Sequence, residues 1–458
     1  MIQEILNLDS ETAIVQELKN KTFTPPKWSD LVKEYDPTKH PVMDKSRYPD
    51  HISDSGQVIP VSRVTHALQK LAVDRTTEIT FATPAKRNYH LDEENERQVK
   101  VRGYIEDILH SVRIDALNLE RARYYYAACE FATIWYSIKK PISYNGDKFM
   151  QKLRTRTFSP MQGEEIYPLF DDSGDLVAQS IETKLSDKKT TYFDTYTADR
   201  HIQWRSYGSD SPKRTLDEPI TLQKIPLVYM VRPLPVWEHT SPIVYEMEWT
   251  QSRNGNYIQQ NAKPLLGIFA DREIEVGADP ESGDPNQGLG VYQFPQGADV
   301  RYITWQQATE STKFHIDELR KNFFTTLQLP DWSYENMKST PMSGEARKQL
   351  FIDAHLKARR ESGAWEEALE REINIIKSYL KLWLPTEWHP DIDAVTVEYE
   401  IQPFAISEER DRIENIALAK NARMLSTVEA VKRLGWVRDV DRELEQLSEA
   451  ENAFSQFE

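Results

Sequence analysis

Cysteine is almost missing from this sequence, whose 458 residues include only Cys129. A single cysteine cannot form an intramolecular disulfide and cannot supply a cysteine-based zinc site. Cys129 lies in the apolar run "AACEFATIW", where a buried thiol without a redox function is expected.

Long apolar runs are missing as well. The stretch "ACEFATIWYSI" is too short to cross a bilayer, and the N-terminus "MIQEILNLDSETAIVQEL" has no basic segment followed by a continuous apolar run. Since 39% of the side chains are apolar, the chain can still form a sizeable core, and its length suggests two to four domains. We therefore predict an ordered protein, made in the cytoplasm, without a membrane partner.

The known catalytic signatures are also missing. The sequence has no phosphate-binding loop ending in Lys-Ser or Lys-Thr, no His-Glu-x-x-His, no Gly-x-Ser-x-Gly and no dinucleotide fingerprint. It thus predicts no catalytic residue, no cofactor and no metal. The densest polar patch, "HPVMDKSRYPDH", holds His40, Asp44, Asp50 and His51. A metal-dependent hydrolase built on this patch is an alternative to an ordinary surface loop.

Positive charge is in deficit, with 57 Lys and Arg against 73 Asp and Glu and a formal net charge of −16. Affinity for nucleic-acid phosphates depends on clustered Lys and Arg, so this balance disfavours a protein that grips nucleic acid through a general basic surface. It is compatible with a protein that lets DNA slide past without binding it tightly.

The first 140 residues have a mainly helical pattern. Val61, Val64, Leu68 and Leu71 recur at helical spacing, "TEITFA" alternates as a short strand would, and "DALNLERARYYYAACEFATIW" continues the helical pattern. From 141 to about 235 short strand-like runs take over. Turn residues in "DDSGD" and between the halves of "TTYFDTYTADRHIQWRS" predict two hairpins there.

The helical pattern returns in "HTSPIVYEMEWTQSRNGNYIQQNAKP" and in "QATESTKFHIDELRKNFFTTLQLP". Between these helices "LLGIFADREIEV" and "VYQFPQGADVRYITW" resemble strands on either side of a Gly-, Pro- and Asp-rich loop. Near the C-terminus "AVTVEYEIQPF" alternates like a strand, and Ser426 with Glu429 forms a capping box for a helix.

The longest predicted helix follows the polar loop "PDWSYENMKST" and begins at "PMSGEARKQL". Ser343 is its expected N-cap, and Glu345 lies in the first turn, where the helix dipole favours an acid. About forty residues of helix would extend roughly 60 Å. Gly363 is the expected site of a bend. An apolar or small stripe marks one face: Ala346, Leu350, Ala354, Ala358, Trp365, Leu369, Ile373, Ile376, Leu380 and Trp383.

The order of these elements resembles the portal proteins of tailed bacteriophages, in particular those of phages with long non-contractile tails. In that family an "SG.A" element begins the spine helix, as Ser343-Gly344-Glu345-Ala346 does here, followed by a charged pattern like "LKARRESGAWEEALEREINII". The tail "ALAKNARMLSTVEAVKRLGWVRDVDRELEQLSEAE" is similar to the family's C-terminal segment, although Asn421-Ala422 replaces its usual glycine. The first 240 residues agree more loosely.

The resemblance implies an α+β, mainly helical fold with small β-rich segments. It divides the chain into a wing (1–240, helical and then β-rich), stem helices (241–263 and 307–328), a clip between them (264–306), a tunnel loop (330–342), the spine helix (343–384), a wing strand (385–404) and a helical crown (405–458).

The resemblance also implies site residues. Those facing the channel from the tunnel loop would be Trp332, Tyr334, Asn336 and Lys338, although an ordinary surface loop explains the same residues. Those at the start of the spine would be Ser343, Gly344, Glu345, Arg347 and Lys348. Those of the clip that dock partners would be Asp279, Glu281 and Asp284.

The first half of the spine is basic and its second half is acidic. The basic residues are Arg347, Lys348, Lys357, Arg359 and Arg360, and the acidic residues are Glu366, Glu367, Glu370 and Glu372. This polarity would pair neighbouring subunits, or it would reflect a solvated helix with ion pairs between residues one turn apart.

In function, the resemblance implies a non-enzymatic ring of twelve subunits at one capsid vertex of the virion, made in the bacterial host cytoplasm. Double-stranded DNA would pass through it during packaging and ejection. The implied partners are the terminase large subunit, a head-completion or adaptor protein, the major capsid protein and a scaffold. The alternative is another capsid-associated or head-tail connector protein without a DNA bore.

Overall fold

A computed structural model of the chain describes residues 2–21, 23–52, 56–187, 189–261, 265–269, 299–303, 309–331, 352–403 and 409–434, together with 442–444 and 446–447. The described fold is α+β, as predicted. None of its helices combines the length and the apolarity that a membrane crossing requires.

The helices of these residues are numbered here in chain order. They are α1 Ile2–Leu6, α2 Glu11–Leu18, α3 Trp28–Tyr35, α4 Leu68–Phe81, α5 Glu96–Ser111, α6 Ile114–Ala128, α7 Ser241–Asn261, α8 Thr309–Thr326, α9 Ile352–Trp383, α10 His389–Ala394, α11 Glu409–Asn421 and α12 Thr427–Leu434.

The strands are numbered in the same way. They are β1 His51–Ile52, β2 Val58–Ile59, β3 Lys86–His90, β4 Glu130–Ile138, β5 Ile142–Tyr144, β6 Asp147–Phe149, β7 Lys152–Phe158, β8 Glu164–Phe170, β9 Leu176–Lys184, β10 Thr190–Tyr196, β11 Arg200–Tyr207, β12 Lys213–Pro219, β13 Leu227–Val231, β14 Leu265–Phe269, β15 Asp299–Ile303 and β16 Thr396–Glu400.

The chain divides into two compact units. Unit 1 combines Met1–Pro26, Val73–Val236 and Gln328–Glu458, and unit 2 combines Lys27–Ala72 with Trp237–Leu327. Residues 27–72, which the resemblance assigns to the wing, are therefore grouped with the two helices that it assigns to the stem.

The largest sheet of unit 1 is an antiparallel meander in the order β12-β11-β10-β9-β8. Both hairpins predicted from turn chemistry are present in it. The β8–β9 turn is closed by Asp171, whose Oδ1 accepts from the backbone N–H of Ser173 at 2.9 Å and of Asp175 at 2.8 Å. Gly174 has a φ of +85°, a conformation that glycine adopts without a steric penalty.

The two N-terminal helices cover one face of this meander. Their apolar side chains form a core with the sheet that contains Ile5, Ile14, Val15, Leu18, Tyr167, Leu169, Ala178, Phe193, Ile202 and Trp204. Ion pairs surround the core: the Lys19 Nζ lies 2.5 Å from Glu182 Oε2, and the Arg214 Nε lies 3.3 Å from Glu11 Oε1. These helices are therefore an integral layer of unit 1.

A second sheet, in the order β13-β4-β7, contributes to another core with residues of the meander, among them Ile166 and Ile181. The helical prediction for "CEFATIW" is wrong, because α6 ends at Ala128 and its C-cap residue, Cys129, has a left-handed φ of +65°. The chain continues from there as β4. Cys129 is buried, as predicted.

The spine helix α9 packs its apolar stripe into unit 1. Ala354, Ala358, Leu369, Ile376 and Leu380 are buried, as the stripe predicts. The Trp365 ring stacks on Phe131 with 5.6 Å between ring centroids, and Phe81 and Tyr125 pack edge-on against it. The helix runs without interruption through Gly363.

The C-terminal elements follow the sequence pattern closely. Strand β16 pairs antiparallel with β3, and Val395, Val397, Tyr399 and Ile401 are buried on one side, as predicted. In the crown segment, Ser426 Oγ accepts from the Glu429 N–H at 3.2 Å and so caps α12. This half of the predicted capping box is confirmed.

Unit 2 contains the helix pair α7 and α8 and the antiparallel pair β14 and β15. Both strands lie in the stretches for which the sequence predicts strands. Leu265 is opposite Ile303 and Phe269 is opposite Asp299.

Candidate functional site

All three sets of residues to which the family resemblance gives a site role lie outside the described residues. They are Trp332, Tyr334, Asn336 and Lys338 of the loop, Ser343, Gly344, Glu345, Arg347 and Lys348 of the spine start, and Asp279, Glu281 and Asp284 of the clip. The structure describes the chain up to Asp331 and again from Ile352. It therefore shows the elements that flank the loop.

The flanks of this loop are fixed in unit 1. Leu329 before it and Ala354 after it are buried. Gln328 has a left-handed φ of +54°, and its side-chain oxygen accepts a hydrogen bond from the Arg360 guanidinium. This contact links the two chain segments between which the predicted tunnel loop lies.

A cluster of basic side chains occupies the first described turns of the spine. Arg360 and Arg359 are exposed, and Lys357 is half-buried on the same part of the helix. Burial, followed by repulsion from Arg232, lowers the pKa of Lys357 to about 8. Glu361, whose charge acts in the opposite direction on the pKa of Lys357, lies within the same stretch of the helix.

Arg232 is held in this cluster by aromatic and ionic contacts. Its guanidinium lies 5.3 Å from the ring centroids of both Tyr125 and Tyr126, which is cation–π distance. The Arg232 Nη2 lies 3.4 Å from Glu361 Oε1. The contact attaches the end of β13 to the spine.

The acidic second half of the spine makes contacts within the subunit. Glu367 pairs with Arg371, one turn away, at 2.6 Å. Glu366 accepts from the backbone N–H of Ile401 at 3.4 Å. Glu372 is buried. For Glu367 and Arg371, pairing one turn apart is therefore what the structure shows.

Glu372 is the centre of a buried polar network. Its Oε1 lies 2.7 Å from the Arg121 Nη2 and accepts from the Trp135 Nε1 at 3.1 Å. Arg121 also donates to Asn118 Oδ1 at 3.2 Å, and the Tyr379 hydroxyl donates to the Trp135 carbonyl at 2.9 Å. The network ties α6 and β4 to the spine.

A different polar array lies in unit 2, along α7. Residues 61–66 belong to no helix or strand, and three of their backbone N–H groups donate to side chains of α7. Ser62 donates to Asn256 Oδ1 at 2.5 Å, Val64 to Ser252 Oγ at 2.8 Å and His66 to Glu248 Oε1 at 2.7 Å. Two residues of an extended chain span about the same distance along the backbone as four residues span along a helix axis. The two spacings match, so the hydrogen bonds form a ladder.

Sequence reasoning missed this ladder and predicted a helical pattern from Val61. A signal was present in the spacing of Glu248, Ser252 and Asn256, which places three polar side chains on one helix face. Gly255 permits the close approach, since a Cβ atom there would lie 2.6 Å from Ser62 Oγ.

The histidine patch of the hydrolase alternative does not converge. His40 is buried and contacts Glu248 and the Glu34 carbonyl. Asp50 pairs with Arg63 at 2.7 Å, Asp44 accepts from Ser46, and His51 is exposed. Among the described residues, no group of three or more His, Cys, Asp or Glu side chains is arranged to hold a metal ion.

Comparison with known proteins gives a family. The model of the family described as "Phage portal protein, SPP1 Gp6-like" matches residues 28–456. None of the curated proteins compared with the chain matches it.

Two solved structures align with most of the chain. A chain from the "Neck of empty GTA particle computed with C6 symmetry" has a TM-score of 0.43 and 11% identity, covering 91% of this chain and 95% of that chain. A chain from the "Virion of native gene transfer agent (GTA) particle" has a TM-score of 0.41 and 11% identity, covering 92% and 98%. The family match, which spans nearly the whole chain, decides the assignment: the chain belongs to the SPP1 Gp6-like family of phage portal proteins, structural connectors between head and tail of the virion.

Proposed function

We propose that twelve copies of the chain form a ring at one vertex of a phage capsid, and that double-stranded DNA passes through this ring during packaging and ejection. The observation that carries the proposal is the family match over residues 28–456. The matched range includes all the segments that the resemblance names, from wing to crown, apart from residues 1–27 of the wing and 457–458 of the crown.

Within the ring, we assign the wing to 1–240 with the spine helix (343–384) and the strand region 385–404, and the crown to 405–458. The stem is 241–263 with 307–328, and the clip is 264–306. Residues 27–72 of this wing range form one compact unit with the stem helices.

The tunnel loop, residues 330–342, would face the bore. A net charge of −16 would repel phosphate and keep DNA from binding tightly, because like charges repel over the length of the channel. The few basic groups near the loop, Lys357, Arg359 and Arg360, would then make weak contacts that do not depend on sequence. The Gln328–Arg360 contact would fix the base of the loop.

The clip would dock the packaging and tail proteins. We assign the terminase large subunit, and later the head-completion or adaptor protein, to the region of Asp279, Glu281 and Asp284. The wing would contact the major capsid protein, and a scaffold during assembly. No chemistry is required of the chain in this role.

The first test is mass photometry of the purified protein, followed by negative-stain imaging of the large species. We expect rings of about twelve subunits with a central channel. A compact dimer or tetramer without a hole would refute the proposal and favour the alternative connector without a DNA bore. A monomer would be tested again with the scaffold and capsid proteins co-expressed, and failure to enter capsids would also refute it.

A further inference from the structure

The strongest unexplained feature lies in unit 2, where a buried histidine joins two segments distant in sequence. We call residues 27–66 the belt; it carries α3, the β1–β2 hairpin and residues 61–66 of the ladder. His40 of the belt and Glu248 of α7 have fully buried side chains. The His40 Nδ1 lies 2.7 Å from Glu248 Oε1.

The second ring nitrogen settles the charge of His40. Its Nε2 lies 2.8 Å from the backbone carbonyl of Glu34. A carbonyl oxygen only accepts, and an ionised carboxylate only accepts, so both ring nitrogens must carry a proton to satisfy both contacts. Paired with an ionised Glu248, His40 is therefore an imidazolium ion. Loss of one proton would leave a nitrogen lone pair facing an oxygen lone pair in the protein interior.

The same Glu248 oxygen also holds the ladder. It accepts from the His66 N–H at 2.7 Å, the end rung of the series at Ser62, Val64 and His66. One carboxylate oxygen thus receives both the His40 ring and the backbone of residues 61–66. A change in the His40–Glu248 contact is transmitted directly to that rung.

We propose that His40 is a proton-dependent pin that fastens the belt to α7, and that deprotonation of this one side chain loosens the ladder. The inference concerns unit 2 alone and stands whether or not the ring conducts DNA.

Several hydrogen bonds and charges around His40 favour its protonated form. Burial lowers the pKa of His40, but the hydrogen bonds to Glu248 and the Glu34 carbonyl, with the charges of Glu248 and Asp36, outweigh burial and raise the pKa above its usual 6.5. The Glu34 carboxylate is occupied by the Trp237 Nε1 and the Ser241 hydroxyl, both at 2.8 Å. The neighbouring Tyr245 ring packs edge-on with 5.3 Å between centroids, and the His66 ring binds Gln251.

The direction of the pH effect follows from the raised pKa. A group that binds its proton more tightly in the folded state stabilises that state fully below its unfolded pKa of 6.5. This stabilisation is lost as the pH rises through the higher folded value. The belt is therefore most firmly attached at mildly acidic pH and loosens under alkaline conditions.

The test is hydrogen–deuterium exchange of the intact protein at about pH 6 and about pH 9, corrected for the intrinsic pH dependence of exchange. We expect protection of peptides covering 61–67 to fall severalfold at the higher pH, while peptides from α5 in unit 1 change little. Unchanged protection of 61–67 in the wild-type protein would overturn the proposal, and this result needs no variant.

Variants identify the titrating group. His40→Gln has no charge to lose, so the pH dependence of 61–67 should disappear and protection should be low at both values. The matched control is His90→Gln, because His90 also lies near a carboxylate, 3.1 Å from Glu398, but is exposed. His90→Gln should keep the wild-type pH response. If His40→Gln keeps it too, another group titrates and the pin is refuted. Glu248→Gln should likewise abolish the response, and its persistence there would contradict the proposal.

Discussion

Removing one partner of the buried Arg121–Glu372 pair should destabilise the spine strongly, and removing both should cost less. Both side chains are 2% exposed and their charged atoms lie 2.7 Å apart. In Arg121→Met, the Glu372 carboxylate stays buried without its counter-charge, which costs about 3–5 kcal/mol. Glu372→Leu leaves a buried guanidinium in the same situation and should cost a similar amount.

The double variant Arg121→Met/Glu372→Leu buries no unpaired charge. The wild-type pair is incompletely satisfied, since Arg121 Nε and Glu372 Oε2 have no hydrogen-bond partner among the described residues. Two buried groups then lose a partner, the Trp135 Nε1 its acceptor and the Asn118 Oδ1 its donor, at a cost of about 1–3 kcal/mol each. Each of these losses also occurs in one of the single variants. The double variant should thus be more stable than either single variant, with a coupling energy of at least about 3 kcal/mol.

The assay is hydrogen exchange as a function of urea concentration, read from peptides of α6, β4 and the second half of α9. It reports local opening free energies, which suit a chain of two units better than a single global unfolding transition. A single variant within about 1 kcal/mol of wild type would refute the reasoning. So would a double variant whose loss equals the sum of the two single losses.

Three further predictions concern other parts of the chain. Burial raises the pKa of Cys129 to about 12, so thiol reagents should label this cysteine slowly in the native protein and fully in the urea-unfolded protein. Rapid labelling of the native protein would contradict this prediction. Because the sequence has no second cysteine, all labelling reports on Cys129. Gly255→Ala should weaken the hydrogen-exchange protection of 61–66, because the added Cβ would lie 2.6 Å from Ser62 Oγ. Adding Ser62→Gly to that variant should restore the protection. In the matched control Gly363→Ala, the added Cβ meets no atom within 4 Å, and the substitution should stabilise α9 by about 1 kcal/mol. Equal effects of the two alanines would refute the close approach. Deletion of 332–338 should leave rings intact and block DNA packaging, so normal packaging by that variant would remove the tunnel-loop assignment.

The sequence pattern predicted an element correctly where the burial of its side chains follows the periodicity of that element. The alternation in 395–401 predicted β16 correctly because one face of that strand is buried and the other is exposed. "TEITFA" misled for a related reason: its β-branched residues favour a strand, yet Thr77, Ile79, Thr80 and Phe81 are all buried on α4. Tertiary packing outweighs a propensity of a few tenths of a kcal/mol per residue.

The buried polar contacts could not be predicted from the sequence, because they join residues that lie far apart in the chain. Glu372 was grouped with Glu366, Glu367 and Glu370 as part of one acidic face, yet its side chain is buried against Arg121, which lies on another helix. Its spacing held the clue. Trp365, Leu369, Glu372 and Ile376 follow one another at steps of four, three and four, which puts the glutamate in the apolar stripe. An acid at a stripe position implies a buried cation elsewhere, since an unpaired buried charge is too costly to keep. The sequence thus required such a partner for Glu372, but only the fold could identify Arg121 as that partner.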